Sequence, residues 1–90
     1  MQPRISIITI CYNAASTITR TLRSVSAQTY PNIQYLIIDG ASRDNTLELV
    51  RELAPKSEVY SERDKGIYDA MNKGLDRAMG DYVWYLNAGD

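Results

Sequence analysis

The sequence predicts an α/β fold built on a mostly parallel sheet. Three observations carry that prediction. Apolar, β-branched runs alternate with segments of helical periodicity, in the order strand, helix, strand, helix, strand, helix, strand. The early runs are near-continuous rather than alternating, as expected of strands covered on both faces. Pro31, Pro55 and Gly80 fall between segments, where they end helices or make turns. No repeat, low-complexity tract or linker is visible. The 90 residues are one unit at the low end of domain size, or part of one.

The first strand runs from Ile5 to Ile10, with Cys11-Tyr12-Asn13 as its exit. A helix from about Ser16 to Gln28 follows, carrying Ile18, Leu22 and Val25 on one face. Asn13 or Ser16 is its expected cap. Thr29-Tyr30-Pro31-Asn32 is a turn. Tyr35 to Ile38 is the second strand, opening into Asp39-Gly40-Ala41-Ser42-Arg43-Asp44-Asn45-Thr46. The next helix has Leu49, Val50 and Leu53 on its apolar face, and either Asp44 or the Asn45/Glu48 pair can cap it. Glu58 to Glu62 suits only a sheet edge. The third helix, from about Ile67 to Met79, puts Ile67, Ala70, Met71, Leu75 and Ala78 on one face. Gly74 shares that face and permits close approach to the sheet. Gly80 is its expected end. Tyr82 to Leu86 reads as a buried strand, opening into Asn87-Ala88-Gly89-Asp90.

Composition removes several chemistries. There is no histidine, hence no Ser-His-Asp triad and no His-based zinc site. One cysteine, Cys11, makes no intrachain disulfide and favours a reducing compartment. A net charge of -1 gives no electrostatic case for nucleic acid. No apolar run approaches the length of a membrane span, and no signal peptide is visible. Neither a P-loop nor a Gly-x-Gly-x-x-Gly motif is present. Carboxylates remain, and they suit oxygen-ligand metals such as Mg2+ or Mn2+.

Ligands of open parallel sheets bind beyond the carboxyl ends of the strands. Those ends carry Tyr12 and Asn13, Asp39, Glu62 with Asp64, and Asn87 to Asp90. Carboxylates gathered there repel one another, and a divalent cation relieves the repulsion while leaving positions for phosphate oxygens. Helices that start at this edge favour phosphate as well. The residues alone therefore point to a nucleotide-type ligand with a metal.

At these motifs the sequence resembles the second family of nucleotide-sugar glycosyltransferases, in its N-terminal half. The carriers are Ile5-Ser6-Ile7-Ile8-Thr9-Ile10-Cys11-Tyr12-Asn13, Gln28-Thr29-Tyr30-Pro31-Asn32, Ile38 to Thr46, Asp64 to Gly74, and Leu86-Asn87-Ala88-Gly89-Asp90. The resemblance implies a Rossmann-like GT-A half-domain over residues 1–90, with a four-stranded sheet of order 3-2-1-4 and helices on both faces. It implies that Thr9, Ile10, Tyr12 and Asn13 line a nucleoside pocket, with Tyr12 against the base. Asp39 is expected to hold base or ribose, and Asp64 and Asn72 to border the donor. Asp90 is the expected ligand of Mg2+ or Mn2+, with Asn87 in support. The implied reaction is inverting transfer from a UDP- or GDP-sugar to a saccharide or lipid-linked acceptor in bacterial polysaccharide synthesis. The implied location is the cytoplasm, peripheral to the membrane. The catalytic base and the acceptor site are expected beyond residue 90, so residues 1–90 alone are expected to be inactive. Their last strand is expected to self-associate through its exposed edge.

The chain departs from the family pattern in three places. Gly40 stands where many members have a second aspartate, Met71 where an arginine is common, and Asn87-Ala88-Gly89-Asp90 where fuller motifs have more carboxylates. Other residues have plainer readings. Asp44 is a helix cap, Asp69, Asp76 and Arg77 a solvated face, Met71 and Met79 core, Trp84 core or, at the sheet edge, exposed, and Cys11 a small buried hydrophobe. Asp64 fits a donor contact and a solvated loop acid equally. A noncatalytic nucleotide-binding or assembly module is the alternative function. A receiver-type domain is a third, weakened by the lack of an acid pair after the first strand.

Overall fold

A computed structural model describes residues 2–88 of the chain. Seven elements alternate: β1 (Ile5–Cys11), α1 (Ile18–Ser26), β2 (Ile33–Asp39), α2 (Thr46–Leu53), β3 (Glu58–Ser61), α3 (Ile67–Arg77) and β4 (Tyr82–Tyr85). The strands form one parallel sheet in the order β3-β2-β1-β4. The order, the parallel pairing and the element sequence are those expected.

Two apolar layers clothe the sheet. On one face Ile7, Cys11, Tyr35 and Ile37 pack against Ile18, Leu22 and Val25 of α1 and against Val50 and Ala54. On the other, Ile8, Leu36 and Ile38 pack against Ala70 of α3. The alternation of side chains along a strand assigns odd-numbered residues of β1 to the first layer and even-numbered ones to the second.

Gly74 is what brings α3 this close. A Cβ added there would lie 2.7 Å from Cγ2 of Ile8 and 3.3 Å from Cγ1 of Ile38. Gly80 has a different role from the helix end expected of it, since α3 already stops at Arg77. Its amide donates to Oγ of Ser6 at 2.9 Å, and a Cβ there would meet the backbone amide nitrogen of Ser6 at 2.7 Å. Ser6 belongs to a buried polar network. Its hydroxyl donates to Oε1 of Gln34, which also accepts from the Met79 amide. Among the described residues no buried side-chain nitrogen or oxygen lacks a partner.

Several local expectations are corrected. β4 is not covered on both faces: it pairs with β1 alone, and Tyr82, Val83 and Trp84 are exposed, Trp84 by 50%. α3 reaches only its last residue, Tyr85, which packs beside Ala70 and donates to the Met71 carbonyl at 3.2 Å, so the aromatic run from Tyr82 to Trp84 signals a surface here, not a core. Met79 lies past the end of α3 and is likewise exposed, as are Ile67 and Leu75, leaving Ala70 and Gly74 as the face that meets the sheet. Arg77 is not merely solvated, because its guanidinium lies 4.0 Å above the ring of Tyr60. Among the described residues, no helix is long and apolar enough to cross a membrane.

Candidate functional site

The loops that leave β1 and β2 are laced together at the carboxyl edge of the sheet. The Gly40 amide donates to the Cys11 carbonyl at 2.9 Å. The amides of Asn13, Ala14 and Ala15 donate to the side chains of Ser42, Thr46 and Asp44 at 2.8, 2.9 and 3.1 Å. In return the Arg43 amide donates to Oδ1 of Asn13 at 2.7 Å. Asn13 holds φ +46° and Ala41 φ +64°, left-handed conformations that asparagine tolerates and alanine adopts at a cost of about 1–2 kcal/mol. Asn13 thus clamps the two loops, and neither it nor Ser16 caps α1, where no side-chain cap forms. Asn45 stands at the N-cap of α2 and makes no side-chain cap bond; Asp44, one residue before it, does the capping instead, accepting from the Thr46 amide at 3.0 Å and from its hydroxyl. Those bonds, led by the Thr46 hydroxyl, hold the Asp44 carboxyl below its usual range.

Asp39 lies beneath this lacing. The register aligns Cys11, Asp39 and Ser61 in one row across β1, β2 and β3. Directly paired residues of neighbouring strands share a face, so the three side chains meet. Oδ1 of Asp39 accepts from the Cys11 thiol at 3.3 Å and from the Ser42 hydroxyl. Oδ2 accepts from the Ser42 amide at 2.8 Å and the Ser61 hydroxyl at 2.8 Å. The side chain is 1% exposed. Burial, with Asp39 beside it, drives the Cys11 thiol pKa far up and keeps it a donor. Four donors occupy both oxygens, so Asp39 acts as the buried tie of three strand ends.

Thr9 is also turned inward. Its side chain is fully buried and its hydroxyl shares a 2.6 Å hydrogen bond with Tyr35. Burial pushes the Tyr35 phenol up to about 12, against the pull of the Thr9 bond. Thr9 therefore has only its backbone left to offer a ligand. Its odd position in β1 sends its side chain under α1 and α2.

The surface of the site is built around Tyr12, whose ring is 59% exposed at the end of β1. On one side lies a cavity of about 420 Å³ bounded by Ile10, Tyr12, Asn13, Ser16, Ile67 and Asn87. On the other, a cavity of about 240 Å³ is bounded by Tyr12, Gly40, Arg63 and Asp64. Ile10, Tyr12 and Asp64 also meet Gly66 and Ile67 in a third hollow between them. Asp64 is half-buried. Its Oδ1 accepts from the Gly66 amide at 3.2 Å, while Oδ2 faces Gly40. A Cβ on Gly40 would lie 3.0 Å from that oxygen and 3.4 Å from the Tyr12 ring, so the bare backbone at Gly40 keeps the hollow open.

Of the expected donor residues, the fold brings Ile10, Tyr12, Asn13, Asp64 and Asn87 to these joined cavities. It places Thr9 and Asp39 beneath them, and Asn72 on the exposed side of α3, away from them. Asn87 is exposed at the mouth, and its backbone carbonyl accepts from Thr21. Asp90, the expected metal ligand, lies outside the described residues. Among the described residues no three His, Cys, Asp or Glu side chains cluster as a metal site.

Sequence reasoning missed Arg63, Ser42 and Ser61. The Asp-x-x-Ser spacing of Asp39 and Ser42 is a side-chain turn signal that could have shown the first half of the network. Ser61 needed the register, and Arg63 needed the loop.

Residues 6–90 match the model of the family described as Glycosyl transferase family 2. An uncharacterized glycosyltransferase of Mycobacterium tuberculosis is 40% identical over 90 residues, covering 98% of this chain and 34% of that protein. TuaG of Bacillus subtilis, a glycosyltransferase named for teichuronic acid biosynthesis, is 37% identical over 93 residues, covering 99% of this chain and 37% of its own. The chain thus spans about a third of the length of these relatives. A solved mannosyltransferase of Pyrobaculum calidifontis, in complex with GDP-Man and Mn2+, superposes with a TM-score of 0.89 at 29% identity, over 99% of this chain and 28% of that one.

Proposed function

From the premise that this chain belongs to glycosyl transferase family 2, we propose that it forms the donor-binding part of an enzyme transferring a sugar from a nucleoside-diphosphate sugar. The observation that carries the reading is the convergence of Tyr12, Asp64 and Asn87 on joined cavities at the carboxyl edge of a parallel sheet. A flat exposed ring beside a carboxylate suits a nucleobase, which stacks on one and donates an N–H to the other. The larger cavity beyond Tyr12 then takes the ribose and diphosphate.

The donor is of UDP or GDP type, and the acceptor is a saccharide or a lipid-linked sugar of polysaccharide synthesis, met in the cytoplasm at the membrane face. Transfer is inverting. The acceptor oxygen bonds to the anomeric carbon as the bond to the diphosphate breaks, and the acceptor's proton passes to a carboxylate base outside residues 1–90. Asn87 and Asp90 are the candidate ligands of Mg2+ or Mn2+; an asparagine amide oxygen is a hard donor of the kind such ions take. The ion, when bound, neutralises charge on the departing diphosphate.

Calorimetric titration of the full-length protein with UDP and with GDP, with and without Mn2+, tests the reading. Metal-dependent binding of one nucleotide is expected, weakened at least about fivefold by Tyr12→Ala through loss of stacking worth about 1–3 kcal/mol. No binding of either nucleotide in either condition would sink it.

A further inference from the structure

We infer that Lys73 is a positioning residue of the donor site, whose ammonium fastens the loop that carries Arg63 and Asp64 against Tyr12. The inference rests on the donor reading and extends it to a residue that touches no ligand. Lys73 lies on α3, one turn beyond Asp69. Its Nζ donates to the Arg63 carbonyl at 2.9 Å and pairs with Glu62 at 3.2 Å and Asp69 at 3.4 Å. Two partners at the start of the β3–α3 loop and one on α3 itself thus converge on a single cation. Asp69 closes the other side, accepting from the Lys65 amide at 2.8 Å. The backbone of residues 62 to 65 is therefore pinned to α3 at both flanks of Asp64. Asp69 itself is a clamp, where its sequence position suggested only a solvated face.

What the clamp holds is the wall of the cavity bounded by Tyr12, Gly40, Arg63 and Asp64. Arg63 is the one cation lining the three hollows around Tyr12 among the described residues. Among the described residues its guanidinium has no hydrogen-bond or ion-pair partner, and Oδ2 of Asp64 accepts no hydrogen bond. A donor and an acceptor with free capacity, on consecutive residues that line one hollow with an aromatic ring, suit the adjacent carbonyl and N–H of an imide or lactam base edge. Such a match requires the loop to be set before the ligand arrives, since ordering it on binding would cost affinity. The carbonyl of Arg63 is the point at which a single hydrogen bond holds the backbone that carries both side chains.

The test is nucleotide affinity in the full-length protein, titrated with UDP and GDP in Mn2+, for Lys73→Met, Lys73→Gln and Lys73→Arg. The two neutral variants are expected to weaken the bound nucleotide about tenfold, the worth of one charge-assisted hydrogen bond. Lys73→Arg, which keeps charge and donors, is expected to stay within about threefold of the parent. The thermal midpoint should move by no more than about 4 °C, because exposed ion pairs contribute little to stability. On an Asp64→Asn background the same Lys73→Met change is expected to cost less than about threefold, since the group it positions is already impaired. Unchanged affinity in both neutral variants overturns the inference, and so does an undiminished loss on the Asp64→Asn background. If the parent protein binds neither nucleotide, the donor reading has failed first, a result distinct from binding that is indifferent to Lys73.

Discussion

Replacing Asp39 separates a ligand contact from a structural tie. Asp39→Ala removes the acceptor of four donors: the Cys11 thiol, the Ser42 hydroxyl, the Ser42 amide and the Ser61 hydroxyl. Three of these can rotate toward other partners. The Ser42 amide cannot, and stranding it costs about 1–3 kcal/mol. Loss of bonds to a charged acceptor and a small void raise the total to about 3–4 kcal/mol. A chain of this size is stable by something on the order of 5–13 kcal/mol, so the change is a large fraction. Asp39→Asn should be milder, about 1–2 kcal/mol, because its oxygen can stay on the Ser42 amide while its NH2 faces the Ser42 hydroxyl and the Cys11 sulfur, which turn to accept. The assay is urea unfolding followed by far-UV circular dichroism; Trp84, half exposed on β4, is a poor fluorescent reporter. The expected order of midpoints is parent, Asn, Ala. Nucleotide affinity of the folded fraction should change less than stability does. An Asp39→Ala protein that unfolds within about 0.5 kcal/mol of the parent yet binds no nucleotide would refute the argument and restore Asp39 as a donor contact.

Three further outcomes follow from the same geometry. Gly74→Ala puts a methyl group 2.7 Å from Ile8; overpacking of about 1–3 kcal/mol exceeds the helix-propensity gain of about 1, so the urea midpoint falls, and a rise would show that α3 lifts freely. Asp44→Ala tests the cap through pH. The folded-state pKa of Asp44 is lowered, so its stabilising effect is present above the unfolded value of about 3.9 and is lost as pH falls through the folded value. The gap between parent and variant should be full at pH 6 and close in acid below about pH 4; a gap independent of pH contradicts the cap. Residues 1–90 as an isolated chain should associate through the open side of β4, where Tyr82 and Trp84 are exposed, and should turn over no sugar nucleotide; a clean monomer by light scattering, or measurable transfer, refutes each.

The fold was legible because it depends on periodicity, and periodicity survives in a single sequence. Ile5 to Ile10 and Tyr35 to Ile38 can only be covered strands, and Ile18, Leu22 and Val25 can only be one helix face. What periodicity does not carry is what stands next to an element. β4 has the composition of a buried strand, yet among the described residues only β1 lies beside it. Leu75 and Met79 have the character of core side chains and are exposed, because α3 meets the sheet along the narrow line of Ala70 and Gly74. Gly80 reads locally as a helix end, but what requires a glycine there is the backbone of Ser6, 74 residues away, and no local rule reaches that far.

The site divides along a sharper line. Residues that a ligand motif and a folding motif would both select are separated by spare hydrogen-bonding capacity. Asp39 spends both oxygens on the chain itself, Asp44 spends its own on Thr46 and Ala15, and Asn13 gives its side-chain oxygen to Arg43. Asp64 retains one oxygen, Arg63 its whole guanidinium and Tyr12 its ring, all around hollows left open by the missing side chain of Gly40. A carboxylate already holding four donors cannot take a fifth without releasing one, whereas one with an empty oxygen binds at no such cost. The β2–α2 loop, from Asp39 to Thr46, is therefore best understood as the frame that fixes where β1 ends and Tyr12 begins. If the donor reading holds, Arg63 and Asp64 on the opposite wall are the side chains with capacity to read the base, and substitutions there should change which nucleotide binds while substitutions in the frame change whether the edge folds at all.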